Sequence, residues 1–239
     1  MLDNIIINKV LFLDVETVPL APKFSDLSKE FQSLWIEKTH WQYSGKQTPD
    51  DYYNIKAGLM AEFSKIICVS VGYIYNKNKK PRFRLKSFYG DNEKLILNNL
   101  KELLDDKFAT EKHYLCAHNG KEFDYPFLCR RMLLNNINLP KILKISGKKP
   151  WEVRHLDTME MWRFGDYKHY TSIELLAALF DIPKPKEDLN GSQVAKVYWQ
   201  DKDFERIRNY CQKDTLTVAQ ILLKFIGRPI LTEDQVEVA

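Results

Sequence analysis

The stretch that most constrains this chain is residues 9–19, where an apolar run of strand length leads into two carboxylates, Asp14 and Glu16. Side chains at positions i and i+2 of an extended chain point to the same side. Asp14 and Glu16 should therefore project together from the end of a buried strand at residues 9–14. Two neighbouring anions repel each other and burial increases the cost, whereas a divalent cation with oxygen ligands relieves both penalties. The alternative is a solvated turn, so a metal site requires further carboxylates downstream.

The composition favours a soluble, intracellular α/β protein. A length of 239 residues permits one large domain, and a net charge of +4 permits nucleic-acid binding without requiring it. The cysteines form no CxxC pair, which argues for reduced thiols, against structural zinc and for a cytoplasmic location. We expect no leader sequence and no membrane-spanning segment. The cysteines are Cys68, Cys116, Cys129 and Cys211.

Strand and helix patterns alternate along most of the chain. Apolar alternation and β-branched residues predict strands at residues 9–14, 65–74, 82–88, 112–118 and 153–156. Helical spacing predicts helices at residues 91–104 (with Asp91 as N-cap), 125–135, 171–180, 193–199 and 203–226. These patterns predict an α/β fold with a mixed sheet and helices on both faces. We expect one domain over residues 1–239, with a core at about 9–226, a helical insertion at about 20–62 and a short tail at 228–239.

Further polar side chains could join the first pair. Asp124 follows the strand predicted at 112–118, and Tyr210 and Asp214 lie four residues apart on one face of the last predicted helix. Each has an ordinary explanation as well: Asp124 as an N-cap, Asn119 as part of an Asn-Gly turn, and the Tyr210–Asp214 pair as a local hydrogen bond. With the first pair, the two additional carboxylates bring four negative charges, which two divalent cations would balance.

Three segments carry a family resemblance: Asp14-Val-Glu16-Thr17, Asn119-Gly-Lys-Glu-Phe123-Asp124-Tyr-Pro-Phe-Leu128 and Tyr210-Cys-Gln-Lys-Asp214. In this order they resemble the motifs of the DEDDy 3′–5′ exonucleases, and especially the proofreading exonuclease domain of family B DNA polymerases. The resemblance covers about residues 9–226. It implies a ribonuclease H-like fold with a mixed five-stranded sheet, and a stand-alone exonuclease that hydrolyses nucleic acid from its 3′ end with two Mg²⁺ or Mn²⁺ ions.

The resemblance also suggests roles for the acidic side chains. Asp14 is expected to contact both metal ions. Glu16 and Asp124 are expected to complete the coordination shell of one ion each, and Asp214 to hold the ion that carries the attacking water. Tyr210 is expected to orient this water, since a phenol with a pKa of about 10 is a poor base at neutral pH.

Contacts with the nucleic acid are expected at other positions of the same motifs. Thr17 should meet the terminal 3′-hydroxyl, and Asn119 and Phe123 should shape the pocket for the last nucleotide. Phe123 could equally be a core aromatic. Lys148 and Lys149, in a basic loop at residues 141–149 next to Trp151, could follow a phosphate backbone, although solvated lysines are the commoner outcome.

Four polar residues are assigned structural roles instead. Asp157 and Glu160 have the spacing of a capping box, which we favour over a fifth metal ligand. His118 and His155 are expected inside the protein rather than as ligands, because the carboxylates already suffice.

Two rival functions remain open. The first is an RNA exonuclease on the same scaffold, since no feature of the sequence reports whether the pocket accepts a 2′-hydroxyl. The second is a catalytically silent nucleic-acid-binding module, although the presence of all five motif residues argues against it. We favour single-stranded DNA as the partner, and the sequence identifies no protein partner.

Overall fold

A computed structural model describes residues 5–42, 47–166, 168, 170–183 and 189–239. Its sheet has six strands in the order β5-β4-β1-β2-β3-β6. The strands are β1 (Val10–Pro19), β2 (Ser64–Lys77), β3 (Lys80–Tyr89), β4 (Tyr114–Ala117), β5 (Leu156–Asp157) and β6 (Val236–Val238). Neighbours of β1 run antiparallel on the β2 side and parallel on the β4 side, so the sheet is mixed, as the sequence predicts.

Helices cover both faces of this sheet. They are α1 (Lys29–Thr39), α2 (Pro49–Lys56), α3 (Glu93–Lys107), α4 (Asp124–Leu134), α5 (Thr158–Arg163), α6 (Ile173–Leu179), α7 (Val194–Lys196) and α8 (Phe204–Phe225). A π-helical turn at Val197–Asp201 follows α7, where a continuous helix was expected. None of the helices in the described ranges combines the length and apolar composition needed to cross a bilayer.

The alternation of β1 separates two layers of core. Leu11 and Leu13 pack in one cluster with residues of α3 and α4, such as Leu97 and Leu128. Phe12, on the opposite side, packs in a second cluster with residues of α8. Even-numbered positions of β1 therefore face α8, and the same row continues through the two carboxylates of the strand.

Strand β1 is longer than expected. The prediction of a strand at 9–14 that ends with the acidic pair is wrong, because β1 continues to Pro19 and holds Asp14 and Glu16 within it. Its parallel pairing with β4 stops at Phe12, opposite Cys116, whereas pairing with β2 continues past Glu16. The carboxylates thus lie where β1 extends beyond its short neighbour, which keeps them at the carboxyl edge of the parallel part of the sheet.

The C-terminal segment contributes a sixth strand, so the expected five-stranded sheet and free tail at 228–239 are corrected. Val236 pairs with Phe83 in β3, and the side chain of Gln220 exchanges two 2.8 Å hydrogen bonds with the main chain of Leu231. Three residues are too few for an alternation signal. This strand forms because β3 offers an otherwise unpaired edge.

The helical insertion between β1 and β2 is confirmed by α1 and α2, although residues 43–46 of the predicted range 20–62 lie outside the described residues. Its own small core surrounds Trp35, whose indole donates a 3.1 Å hydrogen bond to the Pro49 carbonyl. The predicted N-cap at Asp91 is wrong by one residue. Asn92 caps α3 by accepting from the Leu95 amide, and Asp91 instead pairs with Lys65 at 3.0 Å.

Candidate active site

Two carboxylates of β1 form the centre of the site. Asp14 and Glu16 lie in the row that faces α8, opposite Ser70 and Cys68 of β2. Glu16 is buried and Asp14 is partly buried. Carboxylate oxygens of both residues lie within 4.8 Å of each other and of the Cys211 sulfur. The period of two in the strand is the physical reason that the pair meets on one side.

Helix α8 brings a phenol and a third carboxylate to this pair. Tyr210 and Asp214, four residues apart, are both buried, and their side chains are hydrogen-bonded to each other. Two contacts fix the helix over the sheet: the Cys211 thiol donates to the Asp14 carbonyl at 3.4 Å, and the Thr215 hydroxyl donates to the Ser70 carbonyl at 3.3 Å. The predicted convergence of the last helix on the first strand is thus present.

Helix α4 supplies the fourth carboxylate. Asp124 is its first residue and is buried, while the N-cap position belongs to Phe123, which makes no capping bond through its side chain. Asp124 therefore does not act as the N-cap. The negative charge of Asp14 helps to raise the pKa of Asp124, so the two carboxylates interact electrostatically.

Asp157 has a structural role, which confirms the predicted capping function. Its carboxylate accepts hydrogen bonds from the amides of Met159 and Glu160 at the start of α5. It also accepts from the amides of Asn119 and Lys121, both at 3.0 Å, so it holds the turn that leads to Asp124. With four donors on a buried carboxylate, Asp157 needs no cation, unlike the carboxylates of β1.

The turn held by Asp157 is tight. Asn119 has a positive φ of 63°, and a Cβ atom on Gly120 would lie only 2.5 Å from the Cβ of Ala117. The Asn119-Gly120 sequence therefore forms the tight turn expected of an Asn-Gly pair, and this turn also places Asp124 at the site.

Burial and neighbouring charges raise the pKa values of Asp14, Glu16 and Asp124. Burial, only partly offset by neighbouring hydrogen-bonding groups, raises the pKa of Asp14 to about 6. Burial and the charges of Asp14 and Asp214 raise the pKa of Glu16, and burial with the charge of Asp14 raises that of Asp124. Burial and the same anions raise the pKa of Tyr210, which therefore remains a neutral hydrogen-bond donor.

The donor set fits a hard divalent cation. Carboxylate oxygens are the ligands of Mg²⁺ and Mn²⁺, and a cation would relieve the mutual repulsion. The Oδ2 atom of Asp14 is buried without a hydrogen-bond partner. A buried acceptor that lacks a donor is costly, and a metal ion at this position would satisfy it.

The residues predicted to contact nucleic acid lie around this centre. The Thr17 hydroxyl donates to the Gly58 carbonyl at 2.6 Å, so it also ties β1 to the end of the insertion. The Asn119 side-chain oxygen is buried without a hydrogen-bond partner. Phe123 is partly buried and packs against Phe127, with ring centroids 5.1 Å apart, as expected for a core aromatic.

Lys148 and Lys149 are exposed, as is Trp151, over whose ring the Lys149 ammonium lies at 5.2 Å. Trp151 borders a groove of about 530 Å³ along the outer edge of β5, here named the edge groove. Phe164 also lines the edge groove. It is 85% exposed and has a left-handed backbone conformation with a φ of 45°. Lys121 and Asp157 also line the edge groove, so it borders the turn that carries Asp124.

The two histidines are interior, as predicted. His155 contacts the Leu115 amide and the Ile142 carbonyl through its two ring nitrogens, and burial lowers its pKa to about 4. His118 lies between Thr158 and the carbonyl of Thr171, each at 2.9 Å.

Sequence reasoning missed three groups near the site. The charge of Glu174 on α6 helps to raise the pKa of Asp14, and the charges of Glu174 and Asp124 help to raise the pKa of the exposed Tyr170. The third is the thiol of Cys211 itself. Tyr170 and Glu174 lie in a segment without a matching motif. Cys211, in contrast, lies between the two side chains singled out on α8 and could have been found by its helical position.

Known proteins support a nuclease assignment. A sequence profile of the family described as "Predicted 3'-5' exonuclease related to the exonuclease domain of PolB" matches residues 58–234, which is more than half of the chain. The matched range contains Asp124, Tyr210 and Asp214 and begins after Asp14 and Glu16.

A curated relative points in the same direction. A DNA polymerase of Pyrococcus horikoshii is 23% identical over 160 residues, which cover 58% of this chain and 13% of the polymerase. The chain therefore spans only a small part of that enzyme's length. Together with the mixed sheet flanked by helices, the profile match shows that the chain belongs to the family of predicted 3′–5′ exonucleases related to the exonuclease domain of PolB.

Proposed function

We propose that this protein removes nucleotides from the 3′ end of single-stranded DNA by phosphodiester hydrolysis with two divalent metal ions, Mg²⁺ or Mn²⁺. Three observations support the proposal: oxygens of Asp14 and Glu16 lie within 4.8 Å of each other on β1, α8 with Asp214 packs onto Asp14 through Cys211, and the charge of Asp14 raises the pKa of Asp124 on α4. The catalytic unit is a single domain over residues 1–239, with its core at about 9–226.

Each carboxylate has a proposed place in this reaction. Asp14, whose charge acts on both Glu16 and Asp124, would contact both ions, while Glu16 and Asp124 would each complete the ligands of one. Asp214 would hold the ion on the side of the attacking water, because Tyr210 lies beside it. When bound, the two ions would lower the pKa of that water and neutralise charge on the phosphoryl group.

Tyr210 would orient the water as a neutral hydrogen-bonding group. Because burial and the neighbouring anions raise its pKa, it carries its proton at neutral pH and does not act as a base. Its side chain, on α8, is buried in a cluster that includes Val18 of β1. This packing limits the motion of the side chain and holds its hydroxyl in one position.

Replacing Tyr210 with phenylalanine is expected to lower kcat about tenfold to a hundredfold with little change in KM, since only the positioning of the water is lost. Single-turnover hydrolysis of a 5′-labelled strand measures this effect. The matched control is Tyr89→Phe, which removes a hydroxyl that contacts Glu205 on the surface. Equal rates for both variants and the unmodified protein would show that Tyr210 only packs in the core and does not orient the water.

The terminal nucleotide would lie between the ends of β1 and α4. Thr17 would receive the 3′-hydroxyl, and the Asn119 side chain and Phe123 would contact the last nucleotide. The preceding nucleotides would continue into the edge groove, where Trp151 and Phe164 offer aromatic surfaces. Lys149, whose ammonium lies over the Trp151 ring, and the adjacent Lys148 offer positive charge beside this groove. Stacking on aromatic rings and contacts with a basic groove are the usual means of binding a single strand.

Replacing Trp151 with alanine is expected to weaken binding of a single-stranded oligonucleotide about tenfold, because a stacked base is lost. Fluorescence anisotropy in an Asp14→Asn background, where hydrolysis does not interfere, measures the affinity. Trp41→Ala is the matched control, because Trp41 is 72% exposed, against 74% for Trp151, and lies on the helical insertion. Equal loss of affinity in both variants would show that the single strand does not bind in the edge groove.

The reaction itself is tested with end-labelled substrates. A 3′-labelled single strand should release labelled mononucleotide at once, and a 5′-labelled strand should give a ladder that shortens with time. Excess EDTA should stop both. Release of the 5′ label first, or no degradation with Mg²⁺ or Mn²⁺, would contradict the proposal. The same assay with RNA decides between the two sugars, because only RNA carries a 2′-hydroxyl into the pocket.

A further inference from the structure

A thiol lies among the carboxylates of the site. Cys211 is fully buried on α8, and its sulfur donates to the Asp14 carbonyl at 3.4 Å. The sulfur and one carboxylate oxygen each of Asp14 and Glu16 all lie within 4.8 Å of one another. The carboxylates alone explain the proposed hydrolysis, so this sulfur has no part in it.

The spacing of these three atoms fits one metal ion. Zinc–sulfur bonds are about 2.3 Å long and zinc–oxygen bonds about 2.0–2.2 Å, so two ligands of one ion lie at most about 4.5 Å apart. The three atoms all lie within 4.8 Å of one another, so small side-chain adjustments would bring them to one ion. The Asp14 Oδ2 atom, which is buried without a hydrogen-bond partner, is an acceptor that an ion would satisfy.

A second buried thiol, that of Cys68, lies near Cys211. Cys68 lies opposite Glu16 in the β1–β2 pairing, is fully buried, and contributes to raising the pKa of the Cys211 thiol. Both cysteines are free. They lie far apart along the sequence and form no CxxC pair, so only the fold brings them together. Two sulfurs beside two carboxylates form a donor set that is softer than oxygen ligands alone.

We propose that Cys211 makes the Asp14–Glu16 pair a site for thiophilic divalent ions, Zn²⁺ or Cd²⁺, which bind through sulfur and oxygen and exclude the hard ion. The site shares its carboxylates with the proposed function, and its test requires no nuclease activity. As the metal–sulfur bond forms, the thiol proton passes to the buffer, so each bound ion releases one proton from Cys211.

Titration of the purified full chain with Cd²⁺ tests this inference. A bound thiolate gives a sulfur-to-cadmium charge-transfer band in the ultraviolet, and we expect this band to saturate at one ion per chain. Cys211→Ser should abolish it and weaken Cd²⁺ binding by about tenfold or more. The matched control, Cys129→Ser, changes a thiol on α4 that donates to the Leu143 carbonyl, and should keep both band and affinity.

A second measurement keeps the inference testable if Cys211→Ser folds poorly. In the unmodified protein, excess Mn²⁺ should displace Cd²⁺ and reduce the band, and Asp14→Asn should weaken Cd²⁺ binding while both thiols remain. A band that persists in Cys211→Ser, or that is insensitive to both Mn²⁺ and Asp14→Asn, would overturn the proposal. A chain that binds Cd²⁺ as expected but degrades no nucleic acid would refute the proposed function alone.

Discussion

Replacing Asp14 or Asp214 with asparagine is expected to lower the rate of 3′ hydrolysis by at least about a thousandfold, or about 4 kcal/mol in the activation barrier. Asp14 influences the pKa values of both Glu16 and Asp124, and Asp214 is hydrogen-bonded to Tyr210. Either change removes a charged ligand while preserving the shape of the side chain. Single-turnover assays with a 5′-labelled strand at saturating Mn²⁺ measure the loss.

Glu122→Gln is the matched control for these variants. It makes the same change from carboxylate to amide in the segment that precedes Asp124, at a side chain that pairs with Arg163 on the surface. We expect its rate to stay within about twofold of the unmodified protein, since surface substitutions have small effects. Near-normal hydrolysis by Asp14→Asn or Asp214→Asn would show that the acidic cluster is not the reaction centre.

The metal-free protein is expected to lose stability as the pH rises from 5 to 8. The pKa of Asp14 is about 6 in the folded protein, above its ordinary value of 3.8. Between these values the folded chain holds a proton that the unfolded chain releases, so stability is highest below the lower value and falls as pH rises through the higher one. Asp14 alone accounts for about 1 kcal/mol between pH 5 and 6.

Two neighbours add to this effect in the same direction. The pKa values of Glu16 and Asp124 are raised as well, so loss of stability should continue above pH 6. A divalent ion at a hundred times its Kd should restore about 3 kcal/mol at pH 8, because it binds only the folded chain. Urea unfolding in EDTA and in excess Mg²⁺, at pH 5 and pH 8, gives all four free energies of unfolding.

Asp14→Asn provides the internal comparison for this pH experiment. An amide does not titrate, so the variant should lose less stability between pH 5 and 8 and should gain less from Mg²⁺. A pH dependence that is the same in the variant and in the unmodified protein, or an absence of stabilisation by any divalent ion, would contradict the assignment of a cation to these carboxylates.

Short-range periodicity explains what the sequence could predict. Asp14 and Glu16 share a side because strands repeat every two residues, and Tyr210 and Asp214 share a face because helices bring positions i and i+4 together. The long final helix predicted at residues 203–226 is also confirmed, since α8 covers Phe204–Phe225. These features depend only on residues close together in the chain.

Features that depend on distant residues were missed. The sixth strand forms because β3 has a free edge for Val236, which no local pattern in a three-residue strand reveals. Likewise, Asp157 could be predicted as a cap for α5, but not as an acceptor for the Asn119 and Lys121 amides. The thiol pair at the site arises in the same way, because it requires β2 and α8 to pack together.

The central claim is that the carboxylates of β1, α4 and α8 together hold the ions used in hydrolysis. Its most direct measurement is an anomalous difference map from crystals of the protein grown with Mn²⁺ and a single-stranded oligonucleotide. The account predicts two ions about 4 Å apart, with Asp14 in contact with both and Asp214 in contact with one. Mn²⁺ bound elsewhere, with no ion among these carboxylates in a form that still degrades DNA, would contradict it.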